Sequence, residues 1–238
     1  MKRITVLAVL FSVVLLQSCI YGEWNNGISG NGNVATEVID IMGFTGIHAS
    51  SGIDVRLTQG DYYVEVVADD NLLEYITVEK EGRMLKIGSE RNIYRAKSRL
   101  VNVTLPELET IRVSSAGDVK SVTDFTCEDL DIEISSAGDL DFVVEADDIS
   151  VSISSSGDCD LRGRANSLDA RLSSAGDLNA FDLEAEYVSV KVSSAGDARV
   201  WSNKEIEMSA SSAGSIYYKG DATVKKSSSS SAGSIVKR

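Results

Sequence analysis

Five aspartates, Asp118, Asp139, Asp158, Asp177 and Asp197, recur at intervals of 21, 19, 19 and 20 residues, each directly after a glycine. If each interval is one coil of a stacked β-structure, neighbouring carboxylates stand roughly 5 Å apart. Two chemistries are open at that distance. A carboxylate row can bridge calcium, helped by Asp141 and Asp160 two residues on, and a close pair can serve a retaining glycosidase. A catalytic pair stands out from its neighbours, whereas these aspartates are interchangeable, and the Gly-Gly-x-Gly-x-Asp phrase of calcium-binding β-rolls is missing. Hydrogen bonding of each aspartate within its own turn is the simpler account. His48 is the sole histidine. No Gly-x-Ser-x-Gly elbow accompanies it, and no phosphate loop, zinc spacing or dinucleotide fingerprint occurs, so an enzyme is not expected.

The elements that must position these residues follow from the surrounding phrase. Ser114-Ser115-Ala116-Gly117-Asp118 returns around Gly138, Gly157, Gly176, Gly196, Gly214 and Gly233, with Ser215 and Ser234 replacing the acid in the last two copies. Before each glycine, apolar residues alternate with polar ones: Leu130, Ile132, Ile134; Ile149, Val151, Ile153; Leu168, Ala170, Leu172; Val188, Val190, Val192; Ile206, Met208, Ala210. Two residues after it stands a second apolar column, Val119, Leu140, Cys159, Leu178, Ala198, Ile216 and Ile235. Period-two alternation marks a strand with one buried face, and its recurrence stacks those faces into one core. Glycine tolerates φ > 0, so the phrase is expected to turn a corner there. The fold class is all-β, a single-stranded right-handed parallel β-helix or β-solenoid with coils of about 19 residues.

The amino terminus reads as a targeting segment. Lys2-Arg3 precede an apolar run from Ile4 to Leu16, and Leu16-Gln17-Ser18-Cys19 has the form of a bacterial lipobox. Residues 1–18 are the expected lipoprotein signal peptide, Cys19 the lipidated residue and 19–33 a flexible tether rich in Gly and Asn. Ile20 after the cysteine points to the outer membrane. The solenoid occupies 34–238, divergent over 34–105 and regular over 106–238. A net charge of −13, or −15 without Lys2 and Arg3, argues against nucleic acid or anionic lipid as partner.

Within 34–105, Ile47 to Val55 match the repeat frame with Ile53 in the glycine slot, a divergent first rung. Tyr63–Val67, Ile76–Val78 and Met84–Ile87 read as strands around a turn at 79–83, so a β-hairpin interrupts the coil. The basic stretch Arg91 to Arg99 reads as a solvated loop. Cys127 and Cys159 fall about 1.6 coils apart on different sides and are expected to remain free thiols. In the final rung the core registers hold Lys225, Ser227 and Ser229, a polar cap that, with Lys237 and Arg238, discourages further stacking. Trp201, Tyr217 and Tyr218 are candidates for a sugar-binding face, although packing under a rim explains any one of them.

Several segments carry a resemblance: Ile28-Ser29-Gly30-Asn31-Gly32, Gly43-Phe44-Thr45-Gly46-Ile47, Val55-Arg56-Leu57-Thr58-Gln59-Gly60, Ala68-Asp69-Asp70-Asn71-Leu72-Leu73, Leu105-Pro106-Glu107-Leu108 and the Ser-Gly-Asp corners. In this order they resemble the putative auto-transporter adhesin family with a head GIN domain. The resemblance implies a right-handed β-helix on exported bacterial envelope proteins and supplies no catalytic residues. The expected function is therefore a non-enzymatic, adhesin-like envelope lipoprotein, held to the membrane by its lipid and presenting its faces to glycan or protein, without cofactor. The alternatives are a carbohydrate-active β-helix enzyme and a scaffold stabilised by calcium along the Asp column.

Overall fold

The computed structural model describes residues 27–238. The expected signal peptide, Cys19 and the first part of the expected tether lie outside the described residues. Among the described residues, nineteen strands occur in chain order. The first nine are β1 (Ile28–Ser29), β2 (Val34–Ile39), β3 (Gly46–Ala49), β4 (Asp54–Gln59), β5 (Tyr63–Asp69), β6 (Ile76–Glu81), β7 (Met84–Ser89), β8 (Ile93–Arg95) and β9 (Arg99–Leu105). The regular part follows as β10 (Thr110–Val113), β11 (Asp118–Ser121), β12 (Phe125–Ile134), β13 (Asp139–Ile153), β14 (Asp158–Leu172), β15 (Asp177–Val192), β16 (Asp197–Ser211), β17 (Ser215–Lys219), β18 (Thr223–Ser230) and β19 (Ser234–Lys237). They form a right-handed solenoid with about 19 residues per turn.

The apolar columns stack as their spacing requires. Ile132 lies on Val151, then Ala170, Val190 and Met208, in parallel register. Leu140, Cys159, Leu178 and Ala198 form the second column, and members of both are buried. Phe125 and Phe142 add a tilted ring pair with centroids 4.9 Å apart. In β13 the alternation reverses phase at Asp147-Asp148, where two successive residues face outward. The same slip at Asn166-Ser167 makes a second corner in each rung, opposite in sequence to the glycine corner.

The glycine corners have a different cause from the one expected. None of the seven glycines has positive φ; instead Ser115 and Ala116 do (50° and 60°), as do Ser136 and Ala137, and the Gly117 N–H donates to the Ser114 carbonyl at 3.0 Å. At Gly117, Gly138, Gly214 and Gly233 this is a type I′ turn built on non-glycine residues, whereas at Gly157, Gly176 and Gly196 only the first central residue, Ser155, Ser174 or Ser194, has positive φ. The glycine is needed for space: a Cβ at Gly157 would lie 2.5 Å from Ile134 Cγ2 and one at Gly176 2.4 Å from Ile153 Cγ2, in the rung before. The Ile53 slot confirms the rule. Register places Asp54 beside Asp118, so Ile53 aligns with Gly117, and beneath this first corner residues 90–98 replace the tight turn. The side chain has room and is fully buried.

Residues 34–105 depart from sequential stacking. The β6–β7 hairpin forms, but β7 also pairs in parallel with β3, and β9 with β4, making a rung beneath the first one. After β9 the chain passes over β3–β4 to pair β10 with β3. Antiparallel β5 and β2 cover the β9 edge. Of the expected tether, residues 28–30 are held to the solenoid: β1 pairs with β8 and the Gly30 N–H donates to the Arg95 carbonyl at 2.7 Å. The basic stretch 91–99 therefore serves partly through its backbone. Two segments that carry the family resemblance meet here. Asn31 N–H donates to Asn71 Oδ1 at 3.0 Å, and Gly32 N–H to Asp69 Oδ2 at 2.8 Å.

At the other end, a register shift puts Val224, not Lys225, on Ile206, while Ser227 and Ser229 lie on Met208 and Ala210 as expected. Displaced from the core register, Lys225 meets Glu205 at 2.9 Å. Among the described residues no helix is long and apolar enough to cross a membrane.

Candidate functional site

The stacked corners bring the aspartates into one column, which begins one rung earlier than the five expected members: Asp54 pairs with Asp118, then Asp139, Asp158, Asp177, Asp197, Ser215 and Ser234 follow. The alignment of Ile53 with the glycines already pointed to Asp54. The side chains do not cap their own turns. Asp177 Oδ1 accepts the Asp197 N–H of the next rung (3.0 Å), Asp118 meets Lys120 at 3.3 Å, and Asp197 meets Arg199 at 3.7 Å. Burial, then the charge of Asp139 and Asp177, pushes the Asp158 carboxyl up; burial and then Asp118 do the same to Asp139. No three Asp, Glu, His or Cys side chains converge as a metal cluster among the described residues.

A test follows from the sign of these shifts. A carboxyl raised by folding favours the native state below its unfolded pKa, and that contribution is lost as pH rises through the folded value. Asp158→Asn therefore stabilises the chain at pH 7, by about 0.5 kcal/mol for a solvent-screened charge pair, and the gain vanishes in acid where Asp158 is itself protonated. Thermal melts at pH 7 and pH 3 check this. A variant that melts below the parent at pH 7 would show that the charge is wanted, as a calcium site requires.

The thiols of Cys127 and Cys159 are free. Burial pushes Cys127 up to about 11 and Cys159 higher still, so both are protonated and unreactive at neutral pH. The register of β3 with β10 brings His48 Nε2 within 3.0 Å of Ser114 Oγ, a pair the sequence did not suggest. Burial, then Arg112 and Lys86, lowers the imidazole pKa. Glu133, the neighbouring carboxylate, is held by Arg112 at 2.9 Å rather than orienting the ring.

A concavity of about 1530 Å³ runs along the second corner across successive rungs. Its floor is the small-residue column Cys127, Ala146, Ala165 and Ala185. Carboxylates flank it in each rung: Glu107 and Glu109; Glu128, Asp129 and Asp131; Glu145, Asp147 and Asp148; Asp169; Glu184 and Glu186. Arg164 is the one cation in its lining among the described residues, 3.9 Å from Glu184. Asp169 Oδ1 is occluded there without a hydrogen-bond partner among the described residues, while Oδ2 meets Arg171 at 3.0 Å. Sequence reasoning missed this groove because its acids fall at the phase slip, between the readable columns.

The fold and this long, repetitive, strongly acidic groove define a class: a right-handed β-solenoid with an acidic channel along one corner. The chain belongs to the family described as Putative auto-transporter adhesin, head GIN domain, which it matches over residues 43–222. It is similar to a putative adhesin from Bacteroides fragilis NCTC 9343 (24% identity, TM-score 0.83, 89% of this chain and 100% of that one). A putative adhesin from Parabacteroides merdae ATCC 43184 gives 20% identity and a TM-score of 0.71, covering 90% of this chain and 100% of that one. A structure called a putative lipid binding protein from Parabacteroides distasonis ATCC 8503 gives 24% and 0.73, covering 89% and 99%. No curated protein matches the chain.

Proposed function

We propose that this chain is an exported, lipid-anchored, non-enzymatic binding module of the bacterial cell envelope, and that the acidic groove is its docking surface for an extended, positively charged protein segment. The observation that carries the reading is the groove itself: a concave track with a small-residue floor, which lets a backbone approach closely, flanked by carboxylates repeated once per rung. Charge of one sign in a cleft concentrates the field and steers an oppositely charged chain. The family name and the adhesins of similar fold agree with a binding role. A lipid ligand, suggested by the name of one similar structure, fits less well, because these acids repel anionic headgroups. Cys19 is the proposed lipid attachment, with the outer membrane as its location.

An oligolysine peptide tests the groove. Binding at low salt is expected to weaken at least tenfold in a Glu128→Lys/Asp147→Lys variant and to stay close to parental in Glu74→Lys/Glu90→Lys, which changes net charge equally elsewhere. Equal loss in both would reduce the effect to net charge and sink the groove. For the anchor, Cys19→Ser is expected to move the protein from the membrane fraction to the soluble one; retention in the membrane would refute lipidation at that residue.

A further inference from the structure

After each glycine corner two positions per rung point outward, three and five residues on. In the middle rungs they hold ordinary surface residues, Asp141 and Val143, then Asp160 and Arg162, with Asp141 engaged by Arg162. From β15 onward the character changes: Asn179 and Phe181, then Arg199 and Trp201, then Tyr217 and Lys219, and finally Val236 and Arg238. Register sets Arg199 beside Tyr217 and Trp201 beside Lys219, so cation and aromatic ring alternate along each strand and between strands. Lys219 Nζ lies 4.3 Å from the Trp201 ring centroid and 5.4 Å from that of Phe181; the Arg199 and Arg238 guanidinium carbons lie 5.6 and 4.9 Å from that of Tyr217. The rings of Phe181, Trp201 and Tyr217 are half-buried.

Stacking does not require this pattern, since Asp141 and Val143 serve the same positions two rungs away. Cation–π contacts also give a modest return at such exposure. The patch is a local basic and aromatic surface on a chain of net charge −13, at the opposite end of the solenoid from the amino-terminal strands; it borders the last rung of the acidic groove, where Trp201 lies beside Glu184 and its indole N–H donates to Asn203 Oδ1 at 2.9 Å. Ring faces offer a flat apolar surface to the C–H faces of a pyranose, and ammonium and guanidinium groups between them suit carboxylates or sulfates. Rungs about 4.8 Å apart present such a pair at each step along a chain.

We propose that this checkerboard binds an acidic polysaccharide, with sugar rings on Trp201 and Tyr217 and the polymer's anionic groups on Arg199, Lys219 and Arg238. A duplex nucleic acid, whose bases are stacked inside, uses the cations alone and meets the repulsion of the remaining surface, whereas a uronate chain uses both halves of the patch.

The test is titration of the full chain, in mild detergent, with polygalacturonate and with neutral dextran. Polygalacturonate is expected to bind at least tenfold more tightly than dextran. Trp201→Ala and Lys219→Glu are each expected to weaken it at least tenfold, Lys219→Arg to retain it, and Lys191→Ala, an exposed lysine off the patch, to leave it unchanged. Lys219 lies on the outer surface, half-buried, and Lys219→Glu, compared with Lys219→Arg, reports on the patch charge even if Trp201→Ala lowers the melting temperature. Absence of polygalacturonate binding overturns the proposal. So does equal loss in Lys191→Ala, or displacement by phosphatidylglycerol vesicles with no effect of Trp201→Ala, which would indicate a membrane contact. The oligolysine experiment fails or succeeds independently, because it uses neither these residues nor this ligand.

Discussion

Alanine at Gly163 lowers the melting temperature by about 10 °C, the equivalent of roughly 3 kcal/mol in a domain of this size. Gly163 sits in the middle of β14 between Val144 and Leu183 of the adjoining rungs, with φ at +117°. L residues rarely adopt that conformation, which alone costs about 1–3 kcal/mol. The added Cβ would also lie 2.1 Å from the Val144 carbonyl oxygen and 3.0 Å from its carbon. Those are backbone atoms of the neighbouring rung, so no side-chain rotation relieves the overlap and the two strands must part. Gly82→Ala is the control. That glycine has φ +61° but nothing within 4 Å of the added carbon, so it reports the conformational cost alone, about 1 kcal/mol. Equal melting temperatures for the two variants would show that contact with Val144 does not limit the stack.

Loss of the Asp69 carboxylate opens the amino-terminal end. Asp69 is fully buried. Its Oδ2 accepts the Gly32 N–H at 2.8 Å, and its Oδ1 accepts those of Lys97 and Ser98, both at 3.1 Å. A Cβ on Gly30 would lie 2.0 Å from Oδ2, so only glycine lets the chain pass so close. Asp69→Ala strands three backbone donors and releases residues 28–33 from β8. Amide hydrogen exchange at 28–33 and 97–98 is expected to accelerate roughly a hundredfold, as the loss of a multiply bonded buried acceptor implies, while β13 to β16 keep their protection. Burial opposes ionisation of this carboxyl, but the three N–H groups outweigh it and hold the pKa below the ordinary value. Its contribution is therefore present above the unfolded carboxylate range and is lost as pH falls through the folded pKa. Exchange at 28–33 that matches the parent would mean that β1–β8 pairing alone holds the segment.

The regular coils could be read from the sequence because each rung answers the same demand. A residue such as Val151 must fit on Ile132 below and under Ala170 above, so its type recurs at its spacing. Where that demand stops, so does the legibility. Nothing local tells β7 and β9 to lie beneath β3 and β4, since those pairings are set by which apolar faces remain uncovered after the chain has folded back. The role of the corner glycines was misassigned for a related reason: their steric partner is in the preceding rung, invisible in the turn itself. The groove acids sit where the strand changes phase, and the aromatic–cation patch shows only when outward positions are compared between rungs.

The dependence of each coil on its two neighbours alone has a consequence for reach. A 19-residue unit such as Asp158–Gly176 could be duplicated or deleted with its contacts supplied by neighbours of the same apolar and polar pattern. Each such change would move the carboxyl-terminal end by about 4.8 Å relative to the amino-terminal strands. Copy number then works as a ruler, setting how far the distal surface stands from the amino-terminal strands without altering either end.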